Sequence, residues 1–187
     1  MIDSAIREWR PQDASDSQIL KDLEGLAQLL HACVHDGAGI SFVLPFEVGD
    51  AAAWWKDKIL PEVKAGTRRV LIARDEDSIV GSVQLNLATP PNQQHRADVA
   101  KLLVHPRARR RGIARTLMVR IEDVARSEGR SLLTLDTVAG SAAEPLYLAM
   151  GYVLMGVIPG YSRGPATTEL EAASFLYKEL KEGRSRN

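Results

Sequence analysis

RADVAKLLVHPRARRRGIARTLMVRIEDVA, residues 96 to 125, changes its hydrophobic period halfway along. A strand-like run ends at His105-Pro106. A helix opens at Gly112-Ile113-Ala114, because Ile113, Leu117, Ile121 and Val124 recur at helical spacing. Between the two stand Arg107, Arg109, Arg110 and Arg111, at a helix N-terminus that is already electropositive. Cations there oppose the helix dipole and add nothing to stability by themselves. A phosphate-rich ligand on the free backbone N–H groups would reverse that balance, and Gly112 would let the main chain approach it closely. The plainer alternative is a solvated arginine surface beside a glycine that serves only the local turn.

The rest of the chain narrows the ligand. Lys+Arg 24 balance Asp+Glu 24, so the net charge is zero, whereas a binder of polymeric nucleic acid would carry a basic excess. Positive charge is instead concentrated between residues 107 and 120, which suits a small anion. The length of 187 residues fits one domain with a sizeable core. A single cysteine, Cys33, excludes an intrachain disulfide and fits a reducing compartment. No apolar run approaches the roughly 18 residues that cross a bilayer. The opening MIDSAIREWRPQD carries charges where a signal peptide needs an apolar stretch. A cytoplasmic protein with no membrane contact is the expectation.

Working outward, residues 2 to 10 read as a first strand, ended by Pro11. Asp16 or Ser17 caps a helix through His35 with the apolar stripe Leu23, Leu26, Leu30 and Val34, broken by Gly37 and Gly39. A second helix runs from about Val48 to Val63. It holds Trp54 and Trp55, which cannot both face the core, so one is left for a groove or a subunit contact. Val70 to Arg74 and Ile79 to Leu87 flank a DED turn as a hairpin, and Thr89 to Arg96 is a polar loop. Ala97 to Val104 is a strand, followed by the helix to Glu128, stopped by Gly129. Ser131 to Thr137 is a strand, Ala142 to Met150 a helix, and Tyr152 to Ile158 and Ala173 to Lys178 are closing strands. The order β-α-α-β-β-β-α-β-α-β-β predicts a mixed α/β sheet flanked by helices, in one domain over 1–180 with a frayed tail at 181–187.

Two short patterns sharpen this. Arg109-x-x-Gly112-x-Ala114 lies between strand and helix, and Leu146-Tyr147-x-x-x-Gly151-Tyr152 follows the strand LLTLDT. In this order and setting they resemble the acetyl-CoA pyrophosphate loop and the fourth-helix signature of the GNAT superfamily of N-acetyltransferases. The chain is similar to that family in element order over nearly its whole length. Within it, RADVAKL, LLTLDT-x-AGS-x-AE and Pro159-Gly160-Tyr161 resemble the tabtoxin resistance proteins, which acetylate a small β-lactam amino-acid toxin.

Acetyl transfer from a thioester to an amine sets physical requirements. An alkylammonium with a pKa of about 10 must lose a proton to a base before it can attack. The carbonyl oxygen needs a fixed N–H donor, and the departing thiolate benefits modestly from an acid. Asp98 is the first candidate base, placed by alternation on one side with Ala100, Leu102 and Val104, where apolar neighbours would raise its pKa. Tabtoxin resistance proteins have glutamate at the matching position, so Asp98 is one methylene shorter and implies a bridging water. Its structural alternative is a strand-end aspartate beside Arg96. The resemblance gives Asp136 an acidic role in binding or deprotonating the ammonium, against a helix-capping alternative. It makes Tyr147 the acid towards the sulfur, against a place in the core.

The resemblance also assigns acetyl-CoA, as co-substrate, to Arg109, Arg110, Arg111, Gly112, Ile113, Ala114 and Arg115. It aligns the pantetheine arm with the backbone of Leu102, Leu103 and Val104. The family often carries an asparagine seven residues before the tyrosine. This chain has Gly140 there, and Ser141 is the replacement donor. No metal is expected: His31 and His35 have zinc-like spacing without a third ligand. Phe42, Phe46 and the GAGISF loop are expected to enclose the acceptor, by analogy.

The function expected is acetyl transfer to a primary amine of a small molecule, a toxin or antibiotic. The rivals are a protein or peptide N-acetyltransferase, which would need an open groove, and a non-catalytic acyl-CoA-binding module, which would not need Asp98, Asp136 and Tyr147. Nucleic acid is excluded as a partner, and exposed strands at the sheet end leave room for a homodimer.

Overall fold

The protein is described here by a computed structural model over residues 6–180. Strand β1 (Ile6–Glu8) precedes helix α1 (Asp16–His35), which is capped by Ser15 Oγ accepting from Gln18 N–H rather than by Asp16 or Ser17. Residues 2 to 5 of the expected first strand lie outside the described range. Helix α2 (Val48–Trp54) runs through a π-helical turn (Trp55–Ile59) into α3 (Leu60–Lys64). Then come β2 (Arg68–Asp75), β3 (Ser78–Asn86), β4 (Arg96–Val104), α4 (Ile113–Ser127), β5 (Leu132–Val138), α5 (Glu144–Ala149), β6 (Val153–Arg163) and β7 (Leu170–Glu179). The order is the expected one. Both closing strands are longer than the sequence suggests, and Pro159-Gly160-Tyr161 is an irregularity inside β6, with Gly160 at φ 63, rather than a turn. The tail at 181–187 lies outside the described residues.

The sheet runs β1-β2-β3-β4-β5-β7-β6, antiparallel except where β4 meets β5. Alternation along β2 sends Val70 and Ile72 to one face, under α1 and the α2–α3 segment, and Leu71 and Ala73 to the other, under α4. The stripe Leu23, Leu26, Leu30 and Val34 is buried on the first face; Ile113, Leu117 and Ile121 are buried on the second. Helix α4 lies close to the sheet because β3 has Gly81 beneath it. A Cβ there would stand 2.9 Å from Ile113 Cγ2.

Two irregularities of β4 shape the surface beside it. Ser82 pairs with Leu103 but Gln84 pairs with Ala100, so β4 holds one extra residue, and Lys101 takes φ 51. Such a bulge reverses which side chains face which way. Ala97 and Val99 pack in the α4 core, Leu103 in the α1 core, and Leu102 and Val104 against the α4 core again. The sequence-based grouping of Asp98 with Leu102 and Val104 on one side is therefore corrected by the bulge. The second irregularity is a splay. β4 and β5 pair only at Arg96↔Leu132, Ala97↔Leu133 and Asp98↔Thr134, and then diverge.

Candidate active site

The divergence opens a cleft of about 410 Å³. Val99 to Val104 form one wall, with a main-chain edge that has no strand partner beyond Asp98; Asp136, Thr137 and Val138 form the other. Arg109 and Ala114 beside the start of α4, Leu146 and Tyr147 of α5, Gly37 to Ile40 and Glu171 complete its lining. All three of Leu102, Leu103 and Val104 line it.

At the α4 end the chain passes through a 3₁₀ turn at Pro106–Ala108, Arg110 at φ 62 and Gly112 at φ 80. Gly112 is the N-cap and brings no side chain to the first N–H groups of α4, those of Ile113, Ala114 and Arg115. They remain open to an anion. Nothing lies within 4 Å of a Cβ built on Gly112, so the requirement for glycine is its backbone conformation. The arginines are not equivalent. Arg109 pairs with Asp36 at 2.5 Å and lines the cleft, while Arg111 pairs with Asp75 at 2.7 Å on the outer side. Arg110 has no ion pair among the described residues.

Tyr147 is buried, with its ring 5.8 Å from that of Tyr152. Burial, and then the charge of Asp136, push its pKa up, so the phenol keeps its proton. Asp136 is exposed on β5, cross-strand from Phe175. Ser141 lines the cleft, with its Oγ 3.0 Å from Thr137 Oγ1. Asp98 does not line it. Its carboxylate accepts from the Arg96 guanidinium and the Thr134 hydroxyl at the last rung of the β4–β5 ladder. The structure thus places Asp136, Tyr147, Ser141, Arg109 and Ala114 around one cleft, and Asp98 apart from it.

Lys101 was missed by sequence reasoning. Its Nζ reaches across the cleft rim to donate to Ile40 O at 2.8 Å and Ser41 Oγ at 3.1 Å. It also lies over the rings of Phe42 (5.6 Å) and Trp54 (6.0 Å). Burial lowers its pKa to about 8, opposed by Asp136. The signal was present, as a lone lysine inside the apolar run VAKLLV. Glu171 has no such signal, because only the β5–β7 pairing brings it near Val138 and Gly39. The tryptophan pair divides as its spacing requires. Trp55 is fully buried, and Trp54 is half-exposed, edge-on to Phe42 at 5.4 Å. His31 and His35 have ring centroids 4.1 Å apart, and His35 Nε2 donates to Phe46 O at 2.8 Å. Among the described residues no group of three His, Cys, Asp or Glu is arranged to hold a metal, and no helix is long and apolar enough to cross a membrane.

A splayed parallel strand pair that leads from an uncapped helix N-terminus to a protonated tyrosine is a site for a long ligand with a phosphate group at one end. Comparison with known proteins gives the class. The profile of the Acetyltransferase (GNAT) family matches residues 26–152, and the chain belongs to that family. An uncharacterized N-acetyltransferase from the hisH-hisA intergenic region of Azospirillum brasilense is 32% identical over 127 residues, 66% of this chain and 73% of that one. An IAA acetyltransferase of the same organism is 33% identical over 104 residues, 55% of this chain and 66% of that one. Among solved structures, a ribosomal-protein-alanine N-acetyltransferase from Brucella melitensis has a TM-score of 0.73 at 22% identity, covering 94% of this chain and 99% of its own. An acetyltransferase from Salmonella typhimurium, solved with its cofactor acetyl-CoA, has a TM-score of 0.70 at 17% identity over 98% of each chain. The structural likenesses establish the fold; the family match establishes an acetyltransferase enzyme.

Proposed function

We propose that the protein transfers the acetyl group of acetyl-CoA to a primary amine of a small molecule, of the kind found in amino-acid toxins and antibiotics. One observation carries the proposal: an unpaired strand edge, Val99 to Val104, runs between an uncapped helix N-terminus and the Tyr147 phenol. The residues present fit the donor. The N–H groups of Ile113, Ala114 and Arg115 suit a pyrophosphate, supported by the Arg109 and Arg110 guanidinium groups. The β4 edge supplies main-chain partners for an amide-bearing arm and an N–H for the thioester oxygen. Bound acetyl-CoA supplies the activated acetyl group.

Asp136 is the acidic group best placed to attract the acceptor ammonium and take its proton, directly or through water. Tyr147, kept protonated, donates towards the sulfur. Asp98 is not assigned the base role, because its carboxylate is committed to Arg96 and Thr134.

The test is thermal melting with acetyl-CoA against equal concentrations of ATP and NAD. At about 100 times its dissociation constant a specific ligand adds roughly 2.7 kcal/mol. A shift with acetyl-CoA alone, weakened in Gly112→Val, supports the donor site, and a thiol-release screen of small amines then identifies the acceptor. Equal shifts with all three ligands, or none in folded protein, would remove it.

A further inference from the structure

The cleft already holds a primary amine that belongs to the protein itself. Lys101 is the lysine among the lining residues, on the β4 wall, with Asp136 on the β5 wall. At the bulge it takes φ 51, and its Nζ donates to Ile40 O and Ser41 Oγ at the rim. Those two acceptors match the two hydrogens of a neutral amine, so proton loss breaks neither bond and leaves one lone pair. Burial favours that loss, as do the charges of Arg68 on β2 and Lys58 in the π-helical turn, while Asp136 opposes it. With a pKa of about 8 against 10.5 in water, Lys101 is a free amine far more often than an ordinary lysine at neutral to mildly alkaline pH. The other described lysines differ. Lys21, Lys56, Lys58 and Lys64 are exposed outside the cleft, and Lys178 donates to the Glu122 carboxylate.

We propose that Lys101 is a self-acetylation site, at which the protein places an acetyl group from acetyl-CoA on its own Nζ. The charge of Asp136 acts on both the Lys101 amine and the Tyr147 phenol, so amine, base and acid share one cleft. Given the acetyl transfer proposed above, Nζ in its neutral form attacks the thioester carbon, and an N–C bond forms as the C–S bond breaks. The surplus proton on nitrogen passes to Asp136, and Tyr147 gives one to the departing sulfur. Proton exchange with water restores both side chains, and the products are N-acetyl-lysine and the CoA thiol.

The modification changes the rim. An amide keeps a single N–H, so one of the two ties to Ile40 and Ser41 is lost. The positive charge over the Phe42 and Trp54 rings is lost with it.

Peptide mass spectrometry after incubation with acetyl-CoA alone reads the site without any acceptor. Trypsin cuts the unmodified chain after Arg96, Lys101 and Arg107. Acetylation blocks the middle cut, so residues 97–107 are expected as one peptide, heavier by one acetyl group. Incorporation is expected at Lys101 ahead of Lys21, Lys56, Lys58 and Lys64, and at no residue of that segment in Lys101→Arg. In Asp136→Asn it is expected to be slower on the order of 100-fold. The sign is decisive, because removal of the Asp136 charge lowers the Lys101 pKa further and would by itself speed the reaction. No acetyl group on Lys101, earlier incorporation at the exposed lysines, or an undiminished rate in Asp136→Asn overturns the proposal. The melting shift with acetyl-CoA separates the two readings. A shift in both wild type and Lys101→Arg, with Lys101 unmodified in the wild type, removes self-acetylation and leaves the donor site standing; no shift in either folded protein removes both.

Discussion

The body of the sheet, β1 to β4, and its arm, β5, β7 and β6, are built from similar strands in very different surroundings. The body is packed on both faces, by α1 to α3 on one side and α4 on the other, and Val70, Val83, Leu85 and Leu103 are nearly inaccessible. The arm shares the α4 side through Leu133, Leu135 and Leu176, while α1 makes its sheet contacts with β3 and β4. Stability thus resides in the body and along the α4 side. On its other side the arm carries the exposed Asp136, and its outermost strand β6 is exposed along nearly its whole length. The cleft lies where the two regimes part.

The comparison breaks most readily at its strongest point. Leu117→Ala, under α4 at full burial, is expected to cost about 2–5 kcal/mol in urea denaturation, whereas Leu170→Ala on the arm, two-thirds exposed, costs less than about 0.5 kcal/mol. Equal costs would mean that the arm is as tightly supported as the body. Next, Asp136→Asn is expected to leave the melting temperature nearly unchanged and to lower kcat/KM by on the order of 100-fold. A large fall in stability with little kinetic loss would make Asp136 structural. Tyr147→Phe is expected to lower kcat on the order of tenfold with acetyl-CoA affinity retained, because a thiol with a pKa near 8.5 needs only modest help to leave.

The smallest effect sharpens the boundary itself. Lys101 releases its proton near 8 in the folded protein, chiefly through burial, against 10.5 for a lysine side chain free in water. Between those values the unfolded chain holds more protons, so stability rises with pH; the penalty on the folded state builds as pH falls from 10.5 towards 8 and levels off below 8. Relative to Lys101→Met, the wild type should gain on the order of 1 kcal/mol between pH 7.5 and 9, read from urea midpoints at constant m-value. A flat difference would show that Lys101 is solvated like a surface lysine and does not tie the Ile40–Ser41 segment to β4.

How far the sequence could be read obeys the same division. Periodicity located α1 and α4 and both of their buried stripes, because helix amphipathicity is local and strong. The arginine turn and the left-handed Gly112 were legible for a similar reason, since a strand–turn–helix junction is made of consecutive residues. Asp98 misled. Strict alternation put it with Leu102 and Val104, and the bulge at Lys101 is set by pairing with β3, which no local pattern announces. Lys101 itself was visible as an anomaly without a partner, and Glu171 was not visible at all. Trp54 and Trp55 could be said to diverge, but which one was buried depended on α1 and Trp9 packing against them.

By itself the sequence determined the element order, the apolar faces, the arginine turn ahead of α4 and the positions of Asp136, Tyr147 and Ser141 near strand and helix ends, all properties of residues close along the chain. Tertiary structure alone decided that β4 and β5 part after Asp98↔Thr134, that Lys101 spans the rim to Ile40, and that β6 is left bare on both faces. Each of these depends on which strands lie side by side and for how many residues. Register and splay are settled by packing across the whole sheet, where a one-residue slip exchanges buried and exposed faces.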